Sequence, residues 1–556
     1  MKGMNKTIKV DRPALATEHA HQLRHAVAAC ALAILCACNP APKYVRPPAP
    51  VPQTFKEASQ QYQEGVGWHV AKPEDDKIRG NWWEMYHDST LNELEQQVRI
   101  SNQTIKIAEA NYRAAQALVV TARSALFPTA TASISYTNEK FGSTRGGALV
   151  TGASGVPVSA SSSAVNIYSL PATASYTIDL WHRVRNSVAT QEFSAQASAA
   201  DVATAILSTQ AELAQDYFEV RALDEERAIL EDTLNNYRQA LQLTETLFKA
   251  GVDSEQDVAQ AQLQVDTAAA SLTDLGVSRA QYEHAIAMLI GRPPAEFSLA
   301  PAPFVAKLPE IPLAVPSHLL ERRPDIAAYE RQIAAANAQI GVARAAYFPD
   351  LTLSATGGFQ STAFTKWLTW PSRFWSVGPS AAQIVFEHGA LRGPVQQAEA
   401  NYDAMVANYR QTTLAAFQGV EDQLATLRIL SQELEEQRTA VAAANHYLNL
   451  ALTLYKTGVD SYLNVITAQN SLLSTRLAVL NLELRQMTAS INLIMDLGGG
   501  WDVSELPNEQ QLLAKPSKWS PGGGSIAPAA PATQPNPPAV APQPLQPSDT
   551  NRSQPH

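Results

Sequence analysis

Cysteine is nearly missing from this chain. Its 556 residues hold three, Cys30, Cys36 and Cys38, all close to the N-terminus. Nothing further along can join a disulfide framework or bind a metal through sulfur. The eleven histidines are scattered, without an H-E-x-x-H spacing, and neither a P-loop nor a nucleophile elbow occurs, so the sequence offers no catalytic site and calls for no cofactor or metal. The formal net charge of −10 argues against a nucleic-acid partner. Long hydrophobic runs are missing too. The longest, Ala26 to Ala37 after Arg24, is too short for a membrane-spanning helix and fits a signal-peptide core. Proline is absent from two long blocks, 172–292 and 395–506, as long uninterrupted helices require.

What the chain does have is a duplicated turn. Lys249–Ser254 reads K-A-G-V-D-S and Lys456–Ser461 reads K-T-G-V-D-S, 207 positions later. Each copy joins two long helical stretches, with Gly251 and Gly458 where a tight helix end needs glycine. Apolar residues step by seven toward each turn: Leu223, Leu230, Tyr237; Leu234, Leu241, Phe248; and Leu427, Leu434, Val441, Leu448, Tyr455. Such steps mark a coiled-coil seam. A helix from about 187 to 249 would run roughly 90–95 Å at about 1.5 Å per residue, longer than an ordinary globular domain. A second repeat supports two similar halves: Ala122–Pro128 (ARSALFP) matches Ala343–Pro349 (ARAAYFP).

Four short segments are β-like, Thr129–Thr137, Leu170–Leu180, Leu351–Thr356 and Trp375–Phe386, and the second and third alternate with period two. One apolar and one small polar face suits the wall of a membrane β-barrel; half-buried strands of a soluble sheet are the other reading. Phe364, Trp367, Trp370, Phe374 and Trp375 crowd one connection like an interfacial girdle, and 138–169 has the Gly/Ser composition of an exposed loop. Four strands cannot close a barrel, and open edges are not tolerated in a bilayer, so several copies would have to share one. Asp179 falls on the expected lumen face of its strand, as a hydrated wall position.

The expected organisation is a signal peptide over 1–37, an extended Pro-rich segment over 38–80, and a first repeat over 81–296. A linker follows over 297–316, then a second repeat over 317–501, and a C-terminal segment with a Pro-rich tail over 502–556. Leu35-Cys36-Ala37-Cys38 reads as a lipobox, making Cys38 the acylated first residue of the mature chain and a lipid anchor. Cys30 and Cys36 are weaker matches, and an unmodified thiol after an ordinary signal peptide is the alternative.

At this point the sequence resembles the outer-membrane efflux proteins of the TolC and OprM type, in the lipoprotein branch often called NodT. The motifs that carry the resemblance are Pro42–Pro47 after Cys38, Trp82-Trp83, Asp88 through Leu94, Tyr176–Trp181, Leu320–Ile326, Gly341–Leu353, both G-V-D-S turns and Leu497–Trp501. The resemblance implies a mainly α protein with a membrane β-barrel portion: a homotrimer whose helical hairpins form a periplasmic α-barrel tunnel and whose strands share one 12-strand β-barrel. It implies a periplasmic adaptor and an inner-membrane pump, commonly of the resistance-nodulation-division type, and a passive exit duct for small toxic compounds. It also implies a gate at the hairpin tips. Tyr455 would bond Asp257, and Leu463 would narrow the tunnel. The acidic positions of the two branches fall on the neutral Asn464 and Thr467, and an Arg of one branch falls on Asn470. Asp253 and Asp460 would then be solvated turn residues or stand-ins for the missing carboxylates. The same type of channel serving type I protein secretion, and a lipid-anchored structural coiled coil, remain the alternatives.

Overall fold

The computed structural model describes residues 39–52, 55–57, 81–140, 149–151, 157–159, 164–309, 311 and 319–513. Cys38, the expected signal peptide over 1–37 and the tail past 513 lie outside the described residues. The first half runs α1 (Ser89–Ser101), α2 (Gln103–Ser124), β1 (Thr129–Ala132) and β2 (Ser135–Glu139). A small hairpin follows, β3 (Leu149–Thr151) with β4 (Pro157–Ser159), then β5 (Val165–Ile178), α3 (Arg183–Lys249) and α4 (Glu255–Leu289). The second half runs α5 (Pro324–Ala345), β6 (Asp350–Ser361), β7 (Arg373–Ala382), α6 (Arg392–Lys456) and α7 (Tyr462–Asp496).

The main helices of the two halves match in order and length. Helices α4 and α7 have 35 residues each, α2 and α5 have 22 each, and α3 and α6 have 67 and 65. At about 1.5 Å per residue α3 is roughly 100 Å long. It starts at Arg183, earlier than periodicity alone indicates, because Asp179 caps it. The Asp179 carboxylate accepts the Val184 and Arg185 backbone N–H groups, both at 3.0 Å. Asp179 is therefore not a wall residue of the strand, which ends at Ile178. A carboxylate at a helix N-terminus satisfies donors that have no partner within the helix. Next to it, Trp181 stacks on Phe348 with ring centroids 4.6 Å apart and donates Nε1–H to the Pro349 carbonyl at 3.0 Å. This pins one half to the other where strands give way to helices.

Strands β1 and β2 pair with β5 in a single antiparallel register, and the order continues β5–β6–β7, so the sheet is four strands wide. The interruption between β1 and β2 falls opposite Pro171. Ser133 still donates to the Pro171 carbonyl at 3.1 Å, but proline has no N–H to return. Several strand limits differ from the sequence expectation, and β6 runs on to Ser361, five residues past Thr356. β5 begins at Val165, because β2 pairs it as far as Glu139. β7 covers Arg373–Ala382 and excludes Ile384, Val385 and Phe386, which are exposed.

The register sorts side chains into two faces. Ala130, Ala174, Ala355 and Val377 share one row, and Tyr176, Leu353 and Pro379 another, all on one face. The alternate rows hold Thr131, Thr173, Thr356 and Ser376, then Thr129, Ser175, Ser354 and Gly378. Thr173 and Thr356 hydrogen-bond across the strands at 3.2 Å. One face is apolar and the other carries hydroxyls, the alternation of a membrane barrel wall. Phe374 falls on the hydroxyl face, out of phase with Trp375, so it does not belong with the other aromatics of the expected girdle. Among the described residues no helix is long and apolar enough to cross a membrane.

Below the sheet the largest buried cluster gathers Trp82, Trp83, Tyr86 and Leu91 with Tyr217, Phe218, Ile286 and Ile491, joining both halves midway along the helices. The N-terminal segment is tied to the helices at two levels. Tyr44 donates to Glu330 at 2.5 Å, and Glu57 pairs with Arg428 at 2.6 Å. A buried ionic cluster holds the chain after α4: Arg279 meets Asp224 at 2.7 Å and donates to the Leu299 carbonyl at 2.7 Å, while Arg221 donates to the Ala300 carbonyl at 2.8 Å. Removing one member of such a cluster would strand a buried charge.

Candidate functional site at the hairpin tips

Both turns close in the same way. Gly251 has φ +74° and Gly458 φ +71°. Gly251 donates to the Phe248 carbonyl at 2.9 Å and Val252 to Leu247 at 2.9 Å; Gly458 donates to Tyr455 at 3.0 Å and Val459 to Leu454 at 3.0 Å. This paired bonding is the Schellman motif, whose left-handed residue glycine adopts without strain. The helices that follow start differently. Ser254 and Asp257 form a reciprocal capping box on α4, with Ser254 Oγ 2.6 Å from Asp257 Oδ2. On α7, Asp460 Oδ1 accepts the Ser461 N–H at 2.8 Å and the Asn464 amide at 2.6 Å. Asp460 is thus engaged within its own turn.

Tyr455, the last seam residue of α6, is 3% exposed. Its phenol oxygen lies 2.9 Å from Thr244 Oγ1 and hydrogen-bonds the Asp253 carboxylate. A phenol has one proton and a carboxylate only accepts, so Tyr455 donates to Asp253. The fully buried Thr244 hydroxyl is itself 3.0 Å from the Ala240 carbonyl. Burial and the Asp253 hydrogen bond both push the Tyr455 phenol up, so it stays protonated at any physiological pH. Tyr462 packs on Tyr455 with centroids 5.3 Å apart, and burial pushes its phenol up to about 12. The cluster, with Leu448, Ala451, Val465 and Ile466, closes the tip-side end of the bundle.

The geometry corrects the resemblance at one point. Tyr455 bonds Asp253 and not Asp257, whose carboxylate is taken by Ser254. Asp257 sits in the first turn of α4 and caps it, whereas Asp253 precedes the cap in the turn itself. Asp253 is accordingly more than a solvated turn residue. Thr244 escaped notice although it is the next step of seven after Leu230 and Tyr237; a hydroxyl in that series signals a polar seam contact. One step up, Tyr237 donates to Asn470 Oδ1 at 2.9 Å, tying α3 to α7. Leu463 is 58% exposed, and Thr467 spends its hydroxyl on the Leu463 carbonyl at 2.9 Å.

Two long hairpins with bonded tips, each leading into strands with one hydroxyl-lined face, define a protomer of a tunnel-and-barrel channel. The chain belongs to the outer membrane efflux protein family, whose model matches residues 94–292 and 315–499. It is 30% identical over 487 residues to the probable efflux pump outer membrane protein TtgC of Pseudomonas putida, covering 87% of this chain and 97% of TtgC. It is 32% identical over 438 residues to the pyoverdine export outer membrane protein OpmQ of Pseudomonas aeruginosa, covering 78% and 89%. The fold is similar to that of the outer-membrane channel OprN, with a TM-score of 0.75 and 28% identity over 84% of this chain and all of OprN. The open state of the Neisseria gonorrhoeae MtrE channel superposes with a TM-score of 0.69 and 26% identity, covering 84% of this chain and 99% of MtrE. The protein is an outer-membrane efflux channel, the exit duct of a pump.

Proposed function

We propose that three copies of this chain close one barrel of twelve strands, and that their helical hairpins form a single periplasmic tunnel closed at the tips. The observation that carries this is the four-strand sheet. It has a hydroxyl face and an apolar face, and it ends in two edges, β1/β2 and β7, that one chain cannot pair with each other. The edges run antiparallel, so a β7 edge meets the β1/β2 edge of the next copy in the same sense as every pair inside the sheet. Residues 39–52, 55–57, 297–309 and 502–513 encircle the tunnel, and an acylated Cys38 adds an anchor in outer-membrane lipid.

In this reading the Tyr455–Asp253–Thr244 contact holds each tip shut, and Leu463, with the neutral Asn464 and Thr467, lines the narrowest part. A periplasmic adaptor opens the tips, and an inner-membrane pump of the resistance-nodulation-division type supplies the energy. Relatives are described as serving antibiotic, toluene and pyoverdine export. Small organic compounds are the corresponding cargo here. Deleting the coding sequence tests this. The deletion strain should become sensitive to several unrelated antibiotics and solvents, with resistance restored by the intact chain. Unchanged sensitivity, with loss of a secreted protein from the medium, would overturn the cargo assignment in favour of protein secretion.

A further inference from the structure

The rim of the sheet carries a feature that conduction does not use. Between Asp350 and Glu387 the sequence has no acidic residue and two cations, Lys366 and Arg373. The connection from β6 to β7 folds against the apolar face. Phe364 and Trp367 pack on Tyr168 with centroids 5.4 and 5.9 Å away, and Tyr168 is in phase with Leu170 and Ala172. Trp370 and Trp375 remain 74% and 80% exposed. The long helices join the opposite ends of these strands, so this is the outer, loop-bearing rim. Exposed aromatics there form a membrane-interface belt.

Both residues lie in that belt, and the Arg373 side chain is held there. The Lys366 carbonyl accepts the Thr369 hydroxyl at 2.6 Å and the Ser372 hydroxyl at 2.7 Å, which folds Lys366 back toward the start of β7. Arg373 opens β7, opposite Phe359 and in phase with Trp375 and Val377, and so on the apolar face. Its guanidinium lies over the Trp370 ring, and Nε donates to the Trp370 carbonyl at 3.2 Å. That uses one of five N–H donors and fixes the guanidinium plane in the way that favours bidentate binding of phosphate. A hydrocarbon-facing wall topped by an oriented guanidinium and an exposed lysine, with no acidic residue in the segment to pair with them, matches a lipid with acyl chains below and phosphate at its head.

We propose that Lys366 and Arg373 bind the phosphate groups of the phosphorylated glycolipid of the outer leaflet, whose acyl chains lie along Trp375 and Val377. This rests on the barrel reading, which is checked separately by pore formation. The test is native mass spectrometry of the purified full-length protein in detergent with diphosphoryl lipid A, with the same lipid lacking phosphates, and with phosphatidylglycerol. Diphosphoryl lipid A should stay bound, the other two should not, and Lys366→Gln/Arg373→Gln should cut retention by about tenfold or more, as expected for two cations at an anionic lipid surface. Equal retention by the variant would overturn the proposal. So would equal binding of the phosphate-free lipid, or phosphatidylglycerol held as well and lost in the same variant. Both residues are exposed, so the variant still forms pores; failure of the unaltered protein to form pores would count against the barrel instead.

Discussion

Tyr455→Phe combined with Asp253→Ala raises single-channel conductance in planar bilayers and admits vancomycin into cells that otherwise exclude it. The contact joins a phenol to a carboxylate, a bond worth about 1.5–3 kcal/mol when one partner is charged. Each copy has one, so a closed trimer would lose about 4.5–9 kcal/mol of the energy holding it shut if the tips move together. Every 1.4 kcal/mol or so is tenfold in an equilibrium, so even the low end shifts the gate by about a thousandfold. The contrast with Asp257 is the informative part. Asp257→Ala removes half of a capping box and costs α4 about 0.5–2 kcal/mol, but it leaves the Tyr455 bond intact and conductance near the starting value. If Asp257→Ala opened the channel and Asp253→Ala did not, the assignment of the latch would be wrong. All variants need to reach the membrane at wild-type levels as heat-resistant oligomers.

Ala355→Arg abolishes insertion, whereas Ser354→Arg, one residue earlier, gives an inserted channel with lowered cation conductance. Ala355 lies mid-strand in a row with Ala130, Ala174 and Val377, on the face assigned to lipid; Ser354 lies with Thr129, Ser175 and Gly378, on the face assigned to the lumen. An arginine at mid-depth on the lipid face costs about 2–4 kcal/mol, and three copies pay it together. The same charge in a water-filled lumen stays hydrated. Outer-membrane fractionation with heat-modifiable migration on gels reads out insertion. Equal behaviour of the two variants would mean that the faces are reversed or that the sheet is not in a membrane.

Much of this architecture was legible because it is periodic. Steps of seven from Leu427 to Tyr455 and the duplicated K-x-G-V-D-S turn gave both long hairpins, and alternation in Leu351–Thr356 gave both faces of β6. What local pattern could not supply was partnership. β5 reaches back to Val165 because β2 pairs it, and β7 stops at Ala382 although the apolar run goes on to Phe386. Asp179 looks like a strand residue by parity but belongs to the helix it caps. At the tip, Asp253 and Asp257 are four residues apart, and only the fold shows that a capping box had already claimed the second. The neutrality of Asn464 and Thr467 was readable from sequence alone. That Asp460 binds Asn464 instead of remaining free in the turn was not.

The central claim is that this chain makes a pore only as three copies. Native mass spectrometry of the purified protein, paired with conductance of the same sample in planar bilayers, tests it most directly. The account predicts a trimer mass, with discrete channels that appear only in fractions containing that trimer. A stable monomer that conducts, or a trimer that never does, would contradict it.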